Sequence, residues 1–116
     1  PGAGTAATPG PRKMAPAELQ ATLAAGDTLL INVCTSRSSG ELPDTDLAIA
    51  YNRLHEAADR LPADKSARIA IYCTSGGMSK DATDALMALG YSDIIDLKGG
   101  TKAWRKAGLP IGDRTQ

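Results

Sequence analysis

The chain has 116 residues, enough for one domain that buries its own hydrophobic core without disulfide staples. Its 13 Lys and Arg residues balance 13 Asp and Glu residues, and this lack of a basic surplus argues against binding to nucleic acid or to an anionic membrane. No apolar run approaches the roughly 18 residues that a membrane-spanning helix needs.

The two ends of the chain look unlike the middle. Residues 1–13, PGAGTAATPGPRK, are rich in Pro, Gly, Ala and Thr without apolar periodicity, which is typical of a disordered or linker-like tail. The chain begins with Pro rather than Met, so we expect that a preceding segment was removed, and both a cytoplasmic and an exported or periplasmic location stay open. We predict a domain over 14–111 and a short C-terminal tail over 112–116.

The first half of the domain predicts alternating helices and strands. In chain order these are a helix over 14–26, a strand over 28–33, a polar loop over 34–46, a short strand over 47–51 and a helix over 52–62. Pro16 suits the first turn of the first helix and Gly26 its end. The run TLLINV at 28–33 is apolar almost throughout, as in a strand covered on both faces.

The second half continues this pattern. We predict a strand over 67–73, a helix over 79–89 that ends at Gly90, a strand over 93–97 and a short helix over 101–108. Short strands alternating with helices indicate an α/β fold with a parallel or mostly parallel sheet and helices on both faces.

A cysteine ends the strand at 67–73 and is followed by a glycine-rich turn. The residues from the thiol onward are Cys73, Thr74, Ser75, Gly76, Gly77, Met78 and Ser79. Gly76 and Gly77 tolerate positive φ, so backbone N–H groups can form an anion-binding nest, and Ser79 is predicted to cap the next helix. Both features favour the reactive thiolate. A buried structural cysteine before an ordinary turn is the alternative.

The other thiol gives no metal pattern. Cys34 lies 39 positions before Cys73, and His55 is the one histidine, so the spacing matches no zinc or iron–sulfur site. We therefore predict no metal.

The loop resembles the active-site loop of rhodanese-like sulfurtransferases, which reads C-x-x-G-x-x-S. The resemblance continues in GYSDIIDLKGGTKAWRKAGLPI (90–111), with its double glycine, Ala-Trp and Gly-x-Pro, and upstream in LLINV (29–33) and GELPDTDLAIAYNRL (40–54). It spans roughly 14–111 and implies a single rhodanese-like domain with a mostly parallel sheet of about five short strands.

The resemblance also implies an activity. Cys73 would accept sulfane sulfur from thiosulfate, polysulfide or a persulfide and pass it to cyanide or a thiol. The backbone N–H groups of Thr74, Ser75, Gly76, Gly77, Met78 and Ser79 would cradle the anionic persulfide. It implies no cofactor, small sulfur-containing donors and acceptors, a protein sulfur acceptor as a further candidate, and neither nucleic-acid nor membrane partners.

Several residues depart from the family pattern. Thr74 and Met78 stand where many members carry arginine, so we expect weak use of thiosulfate unless cations such as Lys80 or Lys102 help. Asn32-Val33-Cys34 replaces the usual Asp-x-Arg, and Glu41 replaces a His. Cys34 would end the neighbouring strand, and we predict a small packed residue there rather than a redox partner of Cys73.

A phosphatase of this fold would need a longer loop with an arginine where Ser79 stands, whereas a non-catalytic or redox-sensing rhodanese-homology module stays open. We predict core packing for Trp104 and an exposed side chain for His55. Asp93 and Asp96 are predicted to be caps or strand-edge residues.

Overall fold

The structure is a computed structural model of the chain, and it describes residues 11–34, 41–74 and 77–112. Five strands are present in these residues: β1 (Arg12–Met14), β2 (Thr28–Asn32), β3 (Leu47–Ala48), β4 (Arg68–Tyr72) and β5 (Asp93–Leu97). The helices are α1 (Pro16–Ala24), α2 (Gly77–Ala88) and α3 (Gly100–Lys106), with a 3₁₀ turn at Ala58–Arg60.

The strands form one sheet in the order β1-β5-β4-β2-β3, and every pairing is parallel. Strand β4 lies at the centre, with Ile71 opposite Ile31 of β2 on one side and Asp96 of β5 on the other. The predicted α/β fold with a parallel sheet of about five short strands is confirmed.

Apolar side chains from the two faces of the sheet form two core clusters. One cluster contains Ile31, Ile71, Cys73 and Ile94 together with Leu86 of α2. The other cluster combines the opposite sheet face with Leu19 of α1 and Trp104 of α3, and its sheet residues are Leu30, Ala70, Tyr72, Ile95 and Leu97. Each fully buried Leu or Ile side chain contributes about 1.5–3 kcal/mol of hydrophobic stabilisation. Helices therefore cover both faces, as predicted.

The predicted strand over 47–51 is too long, and the predicted helix over 52–62 is wrong. Strand β3 has two residues, and the segment after Ala50 forms successive turns before the 3₁₀ turn at Ala58–Arg60. Backbone N–H groups here bond mostly three residues back, for example Glu56 to the carbonyl of Arg53. Leu54 and Leu61 are both buried, so packing at these two points against the sheet decides the path of the chain.

Residues at both ends of the described chain take part in backbone pairing. Arg12 and Lys13 belong to edge strand β1, and Arg12 forms an ion pair with Asp93 at 2.7 Å. Met14 also lies in this strand instead of in the first helix. Gly112 pairs with Glu41 through two backbone hydrogen bonds. The remaining predicted tail residues, 1–10 and 113–116, lie outside the described residues.

Candidate active site

Cys73 directly follows the central strand β4, at the carboxyl edge of the sheet. The last residue of β4 is still bonded to the chain that follows β2, since the Val33 N–H donates to the carbonyl of Tyr72 at 3.0 Å. Cys73 is 1% exposed and belongs to the core cluster beneath α2. Its thiol is thus presented from a rigid element, at the sheet edge where parallel α/β folds bind ligands.

The backbone after the thiol is held by the first turn of α3. The Thr101 N–H donates to the carbonyl oxygen of Cys73 at 2.8 Å, and the Lys102 N–H donates to that of Thr74 at 3.1 Å. These N–H groups have no partner inside their own helix, so the contact satisfies both segments. It fixes the direction in which the chain leaves β4.

The double glycine Gly99-Gly100 makes this contact possible. Both residues have positive φ, 79° and 65°. A Cβ atom on Gly100 would lie under 3.0 Å from the carbonyl oxygens of Cys73 and Thr74, closer than real Cβ atoms come. The sequence therefore needs glycine here for both backbone conformation and close approach.

The far end of the loop passes into α2. This helix begins at Gly77, which is helical and does not have positive φ. Met78 is half-buried against the core cluster and Ser79 is completely buried. The described loop residues lie between β4 and the first turn of α2, whereas Ser75 and Gly76 lie outside the described residues.

Ser79 does not cap α2 as predicted, because it already lies inside the first turn. Its side chain instead hydrogen-bonds the carboxyl group of Asp96. Its carbonyl accepts a hydrogen bond from the Thr83 hydroxyl at 2.9 Å. The last residue of the loop is therefore anchored both to β5 and to the next turn of the helix.

The structure contradicts the predicted strand-edge role of Asp96. This residue is 6% exposed in an interior strand, and removal from water raises the pKa of its carboxyl group, opposed by the Ser79 hydrogen bond and by Lys13. Sequence reasoning missed its link to the loop. The available signal was an acidic residue inside DIIDL, which is buried at all five positions.

Cys34 lies beside the start of the loop. Its sulfur is 3.2 Å from the Thr74 hydroxyl oxygen, and its N–H donates to the Asn32 side-chain oxygen at 3.0 Å. Cys34 is 7% exposed, and the two cysteines are not joined by a disulfide. The predicted burial of Cys34 is confirmed, and the residue contacts the neighbour of Cys73 in the chain.

The remaining residues singled out in the sequence lie apart from the thiol or on the surface. Trp104 is buried and donates from its ring nitrogen to the Pro110 carbonyl at 2.6 Å, which confirms its packing role. Lys80, Lys102 and His55 are exposed, and Lys80 lies 3.8 Å from Asp84. Across 11–34, 41–74 and 77–112, no cluster of three metal-ligating side chains occurs. No helix in these ranges is long and apolar enough to cross a membrane.

The chain is similar in sequence to proteins of a known family. A sequence model described as the rhodanese-like domain matches residues 29–107. A sulfurtransferase of Allochromatium vinosum is 34% identical over 87 residues, which cover 73% of this chain and 78% of that protein. Thiosulfate sulfurtransferase 16, chloroplastic, of Arabidopsis thaliana is 44% identical over 46 residues, or 40% of this chain and 38% of that protein.

Solved structures extend the likeness to the fold. The crystal structure of a rhodanese-related protein from Thermoplasma volcanium superimposes with a TM-score of 0.72 at 24% identity. The superposition covers 86% of this chain and 96% of that protein. With the family match over 29–107, these similarities establish that the chain belongs to the rhodanese-like domain family.

Proposed function

We propose that the chain is a sulfurtransferase that carries sulfane sulfur as a persulfide on Cys73. The observation that carries this proposal is the retained thiol at the end of the central strand, on a loop held by α3 at one end and by α2 at the other. Membership in a family with relatives named as sulfurtransferases supports the same chemistry.

The proposed reaction has two displacements on sulfur. The Cys73 thiolate attacks the sulfane sulfur of thiosulfate, the S–S bond of the donor breaks, and sulfite leaves with the bonding electron pair. Cyanide then attacks the terminal sulfur of the persulfide, giving thiocyanate and the Cys73 thiolate. With polysulfide, the leaving group is a polysulfide shortened by one sulfur atom. Splitting the transfer in this way is covalent catalysis.

The proposed cradle is the backbone between Cys73 and Ser79. The N–H groups of Thr74, Ser75, Gly76, Gly77, Met78 and Ser79 would stabilise the anionic persulfide. The first N–H groups of a helix lack intrahelical partners and lie at the positive end of its dipole. Since α2 has 12 residues and begins four positions after Cys73, its amino end is the stabilising group nearest in sequence.

The surroundings favour donors that lack a sulfonate group. Within the described part of the loop, Thr74 and Met78 occupy the positions where many members of the family carry arginine. Lys80 and Lys102 are exposed, and none of the described Lys or Arg residues is buried. Among the described residues, the sulfonate oxygens of thiosulfate therefore have no buried cation to pair with, whereas a polysulfide has no such oxygens. The 1% exposure of Cys73 also favours slender reagents.

A redox-sensing module is the second candidate function. The observation that favours it is the position of Cys34, whose sulfur contacts Thr74 next to Cys73 in the chain. In this function, a two-electron oxidant such as peroxide would take the two thiols to a disulfide, with the peroxide reduced to water, in place of sulfur transfer. A phosphatase has no comparable support, because Ser79 stands where its loop arginine would be.

Intact-mass spectrometry tests the proposal directly. Incubation with thiosulfate or polysulfide should add one sulfur atom to the protein, peptide mapping should place it on Cys73, and cyanide should remove it. Cys73→Ser should abolish both changes while thermal melting shows a folded protein, because Ser is nearly isosteric. Cys34→Ser is the matched control and should still take up sulfur. Full sulfur uptake by Cys73→Ser would overturn the assignment.

A further inference from the structure

Asp96 is hydrogen-bonded to Ser79 of the cysteine loop, and it also lines a groove between β1 and α2. In the sheet it lies between Ile71 of β4 and Lys13 of β1. Its side chain forms part of the wall of a groove of about 210 Å³ that runs between β1 and α2. The groove is open to solvent, so protons can reach Asp96 from this side.

The carboxyl group has one strong partner on the loop side. The Ser79 side chain hydrogen-bonds it, and Ser79 is itself completely buried. The Thr83 hydroxyl holds the Ser79 carbonyl at 2.9 Å, so Ser79 has little freedom to move away. A change at the carboxyl group is therefore passed to the residue that closes the cysteine loop.

The other oxygen of the carboxyl group is poorly solvated. Asp96 Oδ1 is buried and accepts no hydrogen bond from the described residues. Buried carboxylates normally take several hydrogen bonds, so the charged form is disfavoured here. Burial accordingly raises the pKa of Asp96, although the Ser79 hydrogen bond and Lys13 oppose this effect.

The other charged groups around the groove have partners of their own. On β1, Arg12 forms an ion pair with Asp93 at 2.7 Å, while Lys13 faces Asp96 across the strand pairing. On α2, Lys80 lies 3.8 Å from Asp84. Strand β4 places the apolar Ile71 opposite Asp96. Lys13 is thus the cation that most directly favours the ionised carboxylate.

We propose that Asp96 is a positioning residue that sets, through Ser79, how readily Cys73 carries a negative charge. As a carboxylate, Asp96 holds the Ser79 O–H toward itself. As a carboxylic acid, it donates to the Ser79 oxygen, which releases the Ser79 O–H to donate to an anion in the loop. Its role in sulfur transfer rests on the proposed function, whereas its effect on the thiol does not.

The first experiment measures the alkylation of Cys73 by iodoacetamide between pH 4 and 9, with peptide mass spectrometry to separate it from Cys34. Only the thiolate reacts, so the rate reports ionisation. Asp96→Asn keeps the shape of the side chain and removes its charge. We expect a rate at pH 7 about threefold higher or more, well within what one hydrogen bond to a charged group contributes.

Asp84→Asn is the matched control. Asp84 lines the same groove but pairs with Lys80, so its removal should leave the alkylation profile unchanged. Thermal melting of each variant confirms that it is folded. Identical profiles for Asp96→Asn and the wild type, or equal shifts for Asp84→Asn and Asp96→Asn, overturn the proposal.

A double-mutant cycle tests the path through Ser79. In a Ser79→Ala background, Asp96→Asn should change the alkylation rate by a smaller factor than in the wild type, because the transmitting hydroxyl is gone. An undiminished factor means that Asp96 acts directly through space and contradicts its role as a positioning residue.

Sulfur uptake separates this inference from the proposed function. If the wild type takes up no sulfur, the proposed function fails, while the alkylation profiles still decide the role of Asp96. If sulfur is transferred, the pH profile of kcat/KM should shift in Asp96→Asn in the same direction as the alkylation profile. A shift in the alkylation profile with an unchanged kcat/KM profile overturns the role of Asp96 in sulfur transfer and leaves its effect on the thiol standing.

Discussion

Gly100 lies against the carbonyl oxygen of Cys73 so closely that there is no room between them for a side chain. The contact joins the end of the central strand to the beginning of α3, where the Thr101 N–H donates to the same carbonyl. The second glycine of the Gly99-Gly100 pair is therefore part of the scaffold that holds the backbone at Cys73.

Substitution of Gly100 should disturb the cysteine loop. Gly100→Ala adds a Cβ that overlaps two carbonyl oxygens in a backbone conformation with φ of 65°. Backbone strain and overpacking together should lower the free energy of unfolding by about 2–4 kcal/mol. Sulfur uptake at Cys73 should also slow at a temperature where the variant is still folded. Urea unfolding and intact-mass kinetics measure the two effects.

Gly108→Ala is the control for the backbone conformation alone. Gly108 has a similar φ of 78°, but a Cβ there meets no atom within 4 Å. Its substitution should cost about 1 kcal/mol and leave sulfur uptake unchanged. Equal stability losses in the two variants would mean that the close approach to Cys73 has little energetic weight.

Donor choice should depend on charge at position 78. Because the described loop residues include no arginine, we expect kcat/KM to be higher with polysulfide than with thiosulfate. Met78→Arg should raise kcat/KM for thiosulfate selectively, since a guanidinium group matches the geometry of an oxyanion. Met78→Gln is the uncharged control. Equal gains with both donors would show that charge at this position does not limit the use of thiosulfate.

The pH dependence of stability should carry the signature of Asp96. Its pKa is raised above the ordinary value of 3.8 by burial, so the folded state binds the proton more tightly than the unfolded chain. Its stabilising contribution is complete below pH 3.8 and is lost as the pH rises through the raised value. Asp96→Asn should therefore gain stability relative to the wild type as the pH increases from 4 to 8, as measured by urea unfolding.

Asp64 provides a comparison of opposite sign. Hydrogen bonds from the Ser66 side chain and N–H lower its pKa, so its contribution is present at neutral pH and is lost as the pH falls through the lowered value. Asp64→Ala should lose stability relative to the wild type as the pH rises. The same trend with pH in both variants would contradict the assignment for Asp96.

Local sequence predicted the elements whose own pattern agrees with the way they pack. The apolar run at 93–97 became β5 with the predicted bounds, and Pro16 begins α1. The segment 52–62 had a helical pattern, yet buried contacts at Leu54 and Leu61 hold it in turns. A local sequence pattern does not reveal whether tertiary contacts will override the local preference for a helix.

The candidate site likewise has one part that the sequence predicts and one part that it does not. The loop from Cys73 to Ser79 was predicted from consecutive residues, and its described members connect β4 to the first turn of α2. The proposed role of Asp96 depends on its hydrogen bond to Ser79. Asp96 lies on β5 and Ser79 on α2, 17 positions earlier in the chain. Such partners become visible only once the order of the strands is known.

Cys34 should act as a packed residue and not as a redox partner. It is buried, its N–H is bound by Asn32 and its sulfur contacts the Thr74 hydroxyl. Cys34→Ala should keep sulfur transfer and lower the free energy of unfolding by about 1 kcal/mol, for lost packing. Cys34→Ser, which places a hydroxyl next to Thr74 where the thiol was, should cost no more. Urea unfolding and sulfur uptake measure these outcomes.

Mild oxidation separates this prediction from the redox-sensing alternative. A disulfide needs suitable directions of both side chains and Cα atoms within about 7 Å, and strands held in a parallel sheet adjust little. Cys34 and Cys73 follow the neighbouring strands β2 and β4, and the sulfur of Cys34 is directed to Thr74. Peroxide treatment should therefore oxidise Cys73 without forming a Cys34–Cys73 bond. A high yield of that disulfide in non-reducing peptide maps, reversed by a thiol reductant, would contradict the packed role and favour redox sensing.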